Sequence, residues 1–164
     1  MTIAKTHRRI NKALRLATSS DADHILAAAK EILAARMKHG ESLGTPAAVR
    51  DYLRLILHNR EHEVFVVVLL DAQNRVLATE DMFRGTLTQT SVYPREIVKV
   101  ALQHNAGAVI VAHNHPRGIA EPSHADEMLT VAIKQAVALV DVKVLDHFII
   151  AGPVALSFAE SGRL

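Results

Sequence analysis

The sequence predicts an α/β fold: a central mixed β-sheet with helices on both faces, and so a three-layer α/β/α arrangement. Three observations predict it. Val64–Leu70 is a continuous apolar, largely β-branched run, the pattern of a strand covered on both faces. Residues 108–112 repeat that pattern. Around these runs lie segments with apolar residues at helical spacing, so helices and strands alternate along the chain.

The elements follow in order. Ser20 and Asp23 have the form of a capping box. Ile25, Leu26, Ala29, Ile32, Leu33 and Met37 continue at helical spacing, Gly40 ends that helix, and Gly44 lies in a short linker. Thr45-Pro46 opens the next helix, with Thr as cap and Pro in the first position. Its inward face is Val49, Tyr52, Leu53 and Ile56. The strand Val64–Leu70 is followed by turn chemistry at Asp71-Ala72-Gln73-Asn74. A returning strand is expected over residues 75–79 and a third over 81–86. Tyr93-Pro94 starts a helix reaching His104, with Ile97, Val98 and Ala101 facing the core. After the strand 108–112 comes a helix over 123–140, and strands over 142–151 and 154–158 close the chain.

Composition narrows the class. A chain of 164 residues fits one domain with a modest extension, and 49% apolar residues suffice for a sizeable core. Aromatics are only 4% and Trp is absent, so that core is aliphatic. The absence of cysteine excludes disulfides, thiolate metal sites and cysteine nucleophiles together. It fits a reducing compartment, and the expected location is the cytoplasm. No apolar run reaches the ~18 residues of a membrane span, and the N-terminus has no signal-peptide apolar region. Charge is uneven. Lys5, Arg8, Arg9, Lys12 and Arg15 give residues 1–20 a charge of +5, while the rest of the chain carries −3. The expected organisation is a basic arm over 1–20, a helix and linker over 21–44, and a domain over 45–164. Such an arm suits the phosphate backbone of DNA, and equally a solvated tail, a helix docking on a partner, or an amphipathic targeting-like segment.

The chemistry gathers in "VIVAHNHPRGIAEPSHADEM", Val109 to Met128. Alternate side chains on a strand share a face, so His113 and His115 aim the same way if the strand persists. Pro116 then ends it. Asp126 lies in the first turn of the next helix, and the carboxyl end of a strand and the start of the following helix are neighbours where ligands gather. Two imidazole nitrogens and one carboxylate suit zinc, and three protein ligands leave a fourth position for water. Each feature also has a plainer reading: ten histidines make a chance His-x-His possible, and Ser123-x-x-Asp126 is a respectable capping box. His124, first in the helix, points away from Asp126. The combination is what singles out the loop.

The stretch His113-Asn-His115-Pro116, six residues, Ser123, two residues, Asp126 matches the JAMM signature. Over residues 45–164 the chain resembles the RadC-type branch of the JAB/MPN metalloprotease superfamily. "EVFVVVLLDAQNRVL", "FRGTLTQTSVYPREIVKVALQHNAGAVIVAHNHP" and "VLDHFIIAG" support the resemblance. It implies a cytidine-deaminase-like fold and a single zinc held by His113, His115 and Asp126. Ser123 would support the water or the developing oxyanion. The family's general base, a glutamate at the start of the first core strand, matches Glu63. The residues alone leave Glu61, Glu80 and Glu96 open beside it. The resemblance further implies hydrolysis of amide or isopeptide bonds in a peptide or protein substrate, with Glu63 carrying the proton to the leaving amine.

Two departures from the pattern stand out. Where RadC-type chains commonly read His-Pro-Ser-Gly, Arg117 here adds a cation at the mouth, either selecting an acidic ligand or simply solvated. The first 44 residues show no glycine hairpins of the helix-hairpin-helix kind found upstream in many relatives. A role as an accessory protein in DNA repair or recombination would therefore rest on the basic arm. A purely structural zinc is a further alternative. Asp146 and His147, in "LDHF", could hold a ligand imidazole or form a buried polar pair.

Overall fold

The computed structural model describes residues 24–29, 32, 45–57, 60–84 and 92–164. Residues 24–29 and 32 are helical. The basic arm, the capping box at Ser20 and Asp23, and the linker with Gly40 and Gly44 lie outside the described residues.

The domain runs α1 (Pro46–Leu57), β1 (Val64–Leu70), β2 (Val76–Arg84), α2 (Pro94–Gln103), β3 (Ala108–Asn114), α3 (His124–Ala138), β4 (Lys143–Ala151) and β5 (Val154–Ser157). The five strands form one sheet in the order β2-β1-β3-β4-β5. Only β3 and β4 are parallel, and α3 is the crossover between them.

Strand alternation divides the core into two layers. Val64, Val66, Val68 and Leu70 of β1, with Ala108, Ile110 and Ala112 of β3, pack against Val49, Tyr52, Leu53 and Leu57 of α1. The odd-numbered residues Phe65, Val67, Leu69, Val109 and Val111 face Ile97 and Ala101 of α2 and Ile133 and Val137 of α3. Every residue of β1 and β3 is buried, as a central strand covered on both faces requires. Among the described residues no helix is long and apolar enough to cross a membrane.

Two expectations are corrected. Residues 75–79 and 81–84 are not separate strands: β2 is continuous. The adjacent acids Glu80 and Asp81 resemble a break in the apolar pattern, but β2 is an edge strand whose outer side meets solvent. The register passes from Phe65↔Phe83 to Val66↔Asp81, so Met82 is the extra residue of a bulge. Residues 85 and 86 lie outside the described residues. Strand β3 also runs two residues beyond the expected end, through His113 and Asn114.

Candidate metal centre

The last residues of β3 and the first turn of α3 meet at one point. His113 closes the odd-numbered face of β3, opposite Phe65 on β1. Its ring stacks on Phe65 with centroids 6.0 Å apart. Beyond Pro116 the chain turns: the Gly118 N–H donates to the His115 carbonyl at 3.0 Å. Gly118 sits at φ +78°, the left-handed region where a side chain is strained. That turn brings the Ile119 carbonyl back to His115, whose Nδ1–H donates to it at 2.7 Å. Ser123 then caps α3, and Asp126 is the third residue of its first turn.

The ligand atoms of His113, His115 and Asp126 all lie within 4.8 Å of one another. The two Nε2 atoms are 2.9 Å apart, and Asp126 Oδ1 is 3.3 Å from that of His113. Hydrogen-bond bookkeeping assigns the protons. Thr130 Oγ1 donates to the Asp126 carbonyl at 2.6 Å, so it accepts from His147 Nδ1 at 2.7 Å. His147 Nε2 is then a lone pair, and His113 Nδ1 donates to it at 2.9 Å. His115 Nδ1 is committed to Ile119. Both facing Nε2 atoms therefore present lone pairs to each other beside a carboxylate. Only a cation between them relieves that arrangement, a shared proton at the least. Two imidazoles and a carboxylate are also a donor set zinc accepts, and each imidazole has its outer nitrogen anchored, as metal-ligating histidines generally do. The residues fit a metal ion.

With a shared proton standing where that cation would be, positive charge sits at His113 beside the carboxylate. Burial alone would raise the Asp126 carboxyl. The hydrogen bond and positive charge at His113, with the Ser123 bonds, outweigh burial and hold it well below the usual carboxylate range. Burial, reinforced by charge at His113, pushes His147 down to about 3, so its ring is neutral.

Ser123 is more than a helix cap. Its backbone N–H and hydroxyl both donate to Asp126 Oδ2, at 2.8 and 2.6 Å. Both bonds fall on one oxygen and leave Oδ1 turned to His113. The structure thus places the Ser123 hydroxyl on the carboxylate, where it aims Asp126.

This cluster forms one wall of a cavity of about 900 Å³. Glu63 lines the same cavity, as do Glu61, Arg117 and Glu121, with apolar surface from Phe65, Val92, Tyr93, Ile119 and Leu129. Glu63 lies two residues before Phe65, on the face that carries His113. Glu80 and Glu96 do not line the cavity; they pair with His104 at 3.4 Å and Lys99 at 3.8 Å. His124 is exposed and outside the ligand group.

Three contributors escape sequence reading. Thr130 is four residues beyond Asp126, and that helical spacing is the available signal. Asn114 is a buried polar residue in an apolar strand. Its partners lie about fifty positions away, at Val64, His62 and Arg60. The ring of Phe65 gives no signal beyond its apolar character.

A parallel strand ending in paired imidazoles, beside the capped turn of its crossover helix, defines an α/β domain with a group of side chains that could hold a metal ion. Residues 43–163 match the family model of the RadC-like JAB domain, and the chain belongs to that family. It is 64% identical over 140 residues to a UPF0758 protein of Thiobacillus denitrificans and 60% identical over 140 residues to one of Nitrosospira multiformis. Each match covers 85% of this chain and 62% of the relative, so the chain spans under two thirds of their length. A UPF0758 protein of Leptothrix cholodnii is 53% identical over 153 residues, covering 93% of this chain and 69% of the relative.

Proposed function

We propose that the protein is a zinc-dependent hydrolase of the JAMM type, cleaving amide bonds (peptide or isopeptide) with water. The observation that carries this reading is the pair of inward-facing Nε2 lone pairs beside Asp126, on the wall of a cavity that also holds Glu63. His113, His115 and Asp126 would hold the ion, which as a Lewis acid would polarise a carbonyl and acidify water.

The chain's own residues supply the rest. Glu63 accepts a proton from the attacking water as its oxygen bonds to the carbonyl carbon. As the carbon–nitrogen bond breaks, Glu63 returns that proton to the leaving amine. Ser123 keeps Oδ1 of Asp126 aimed at the centre; its hydroxyl would reach a developing oxyanion only by leaving Oδ2. Val92, Tyr93, Ile119 and Leu129 offer apolar surface for side chains flanking the bond. Arg117, exposed and without an ion-pair partner among the described residues, suits a carboxylate on the substrate.

The test is hydrolysis of a pooled peptide library by the zinc-loaded chain. Wild type is expected to cleave, and Glu63→Gln to lose cleavage by at least about 100-fold with zinc content unchanged, as loss of a general base requires. Protein that stays metal-free in zinc-replete buffer, or a Glu63→Gln variant with wild-type rates, overturns the reading.

The +5 arm favours a second reading, that of a DNA-associated accessory protein. DNA affinity that falls steeply with salt and disappears on deletion of residues 1–19 would support it.

A further inference from the structure

We propose that Asn114, the residue between the two histidines, is a positioning residue that fixes Glu63 relative to them; this rests on the reading of Glu63 as the general base. The ladder between β1 and β3 ends at the pair Phe65↔His113. Continued, its register would set Val64 beside Asn114 and Glu63 beside His115. The backbone ladder goes no further: the next hydrogen-bonded pair would be Val64 with Asn114, but the Val64 N–H is taken by the Asn114 side chain and not by its carbonyl.

The Asn114 side chain takes over where the ladder stops. Its Oδ1 accepts from the Val64 N–H at 2.7 Å, and its Nδ2 donates to the His62 carbonyl at 3.0 Å. Nδ2 also reaches the Arg60 carbonyl at 3.4 Å. The first two partners are the backbone groups on either side of Glu63. One amide therefore grips the main chain before and after the base, while the Glu63 side chain stays on the opposite, cavity-facing side. Only a side chain with both a donor and an acceptor does this. Asn114→Asp removes the donor and sets a carboxylate against the His62 carbonyl; Asn114→Ala removes both groups. Asn114 is 4% exposed, so both ends of its amide depend on these bonds.

The placement also links the base to the metal ligands. Among the described residues no ion pair holds the Glu63 carboxylate, so its position follows from its backbone. That backbone is fastened to the one residue whose neighbours on both sides are ligands. A displacement of β3 moves imidazoles and base together, and preserves a geometry that catalysis needs to within about 0.5 Å.

The test uses the full chain reconstituted with zinc, as Asn114→Ala and as the isosteric Asn114→Asp. Amide hydrogen exchange reads the grip without any substrate. In Asn114→Ala the Val64 amide is expected to exchange about tenfold faster, the loss of one hydrogen bond. The amides of Val109 and Val111 should be unchanged and zinc should stay at one per chain. Wild-type exchange at Val64 overturns the proposal. On a peptide that wild type cleaves, kcat should fall by about 100-fold in both variants, with KM within roughly threefold. In a Glu63→Gln background Asn114→Ala should lower the rate no further, since it acts through Glu63. Equal losses in both backgrounds, or wild-type kcat in the Asn114 variants beside an inactive Glu63→Gln, overturn the positioning role alone. A Glu63→Gln variant at wild-type rates overturns the reading of the base, and the positioning role with it.

Discussion

Asp146 and His147 are consecutive on β4 and both buried, yet they serve different parts of the molecule. Asp146 accepts from the His147 and Ala159 N–H groups at 2.7 and 3.0 Å, and from the Ser157 hydroxyl at 2.5 Å. Those bonds fasten the turn after β5 to the sheet. His147 faces the other layer, between Thr130 and His113, and holds the tautomer of His113. On a strand, one step in sequence changes the layer. A polar pair that looks like one feature in the sequence is here two: one ties down the C-terminal segment, the other supports the candidate metal centre.

That separation can be broken experimentally, and the largest effect expected is on stability. Asp146→Ala removes three acceptor bonds at a buried site and should cost about 3 kcal/mol in denaturant unfolding. Zinc affinity should stay within about threefold; a parallel collapse of affinity would show that the two clusters are one. His147→Phe makes the opposite change. The ring keeps its place near Phe158, where the centroids are 4.6 Å apart, but His113 Nδ1 loses its acceptor. Zinc affinity, measured by chelator competition, should fall about 10–100-fold.

The next effect depends on pH. The folded pKa of His147 is depressed to about 3 from the ordinary 6.5. Between those values the unfolded chain binds a proton that the folded chain does not, so stability is lost as pH falls through this window. For metal-free protein the slope attributable to His147 is at most about 1.4 kcal/mol per pH unit. His147→Phe should flatten the curve by that amount; an unchanged slope would mean the ring is protonated when folded. The smallest effect is at the turn that aims His115. Gly118→Ala meets no obstacle within 4 Å but must hold φ +78°. It should cost about 1 kcal/mol, and a null result would show that the turn relaxes freely.

Much of this is legible in the sequence, for local reasons. The imidazoles and Asp126 fall within fourteen consecutive residues, and strand alternation plus a helix cap suffice to bring them together. The layering of β1 and β3 follows from unbroken apolar runs. Residues whose meaning depends on a distant partner are not legible. Four glutamates are candidates from sequence alone. The fold leaves Glu61 and Glu63 on the cavity and turns Glu80 and Glu96 to partners elsewhere. Strand β2 reads as two strands because two adjacent acids on an edge look like a turn, and a bulge leaves no reliable mark in composition. For Asp146 and His147 the local pattern allows either of two roles, and parity assigns one to each.

The alternation at the end of β3 also limits how this segment can vary in length. His113 and His115 face the cavity and Asn114 grips the neighbouring strand, each by its odd or even place. One residue inserted among the three would turn an imidazole toward the aliphatic layer under α1 and an amide toward the mouth. Insertions and deletions are therefore never expected within the tripeptide itself.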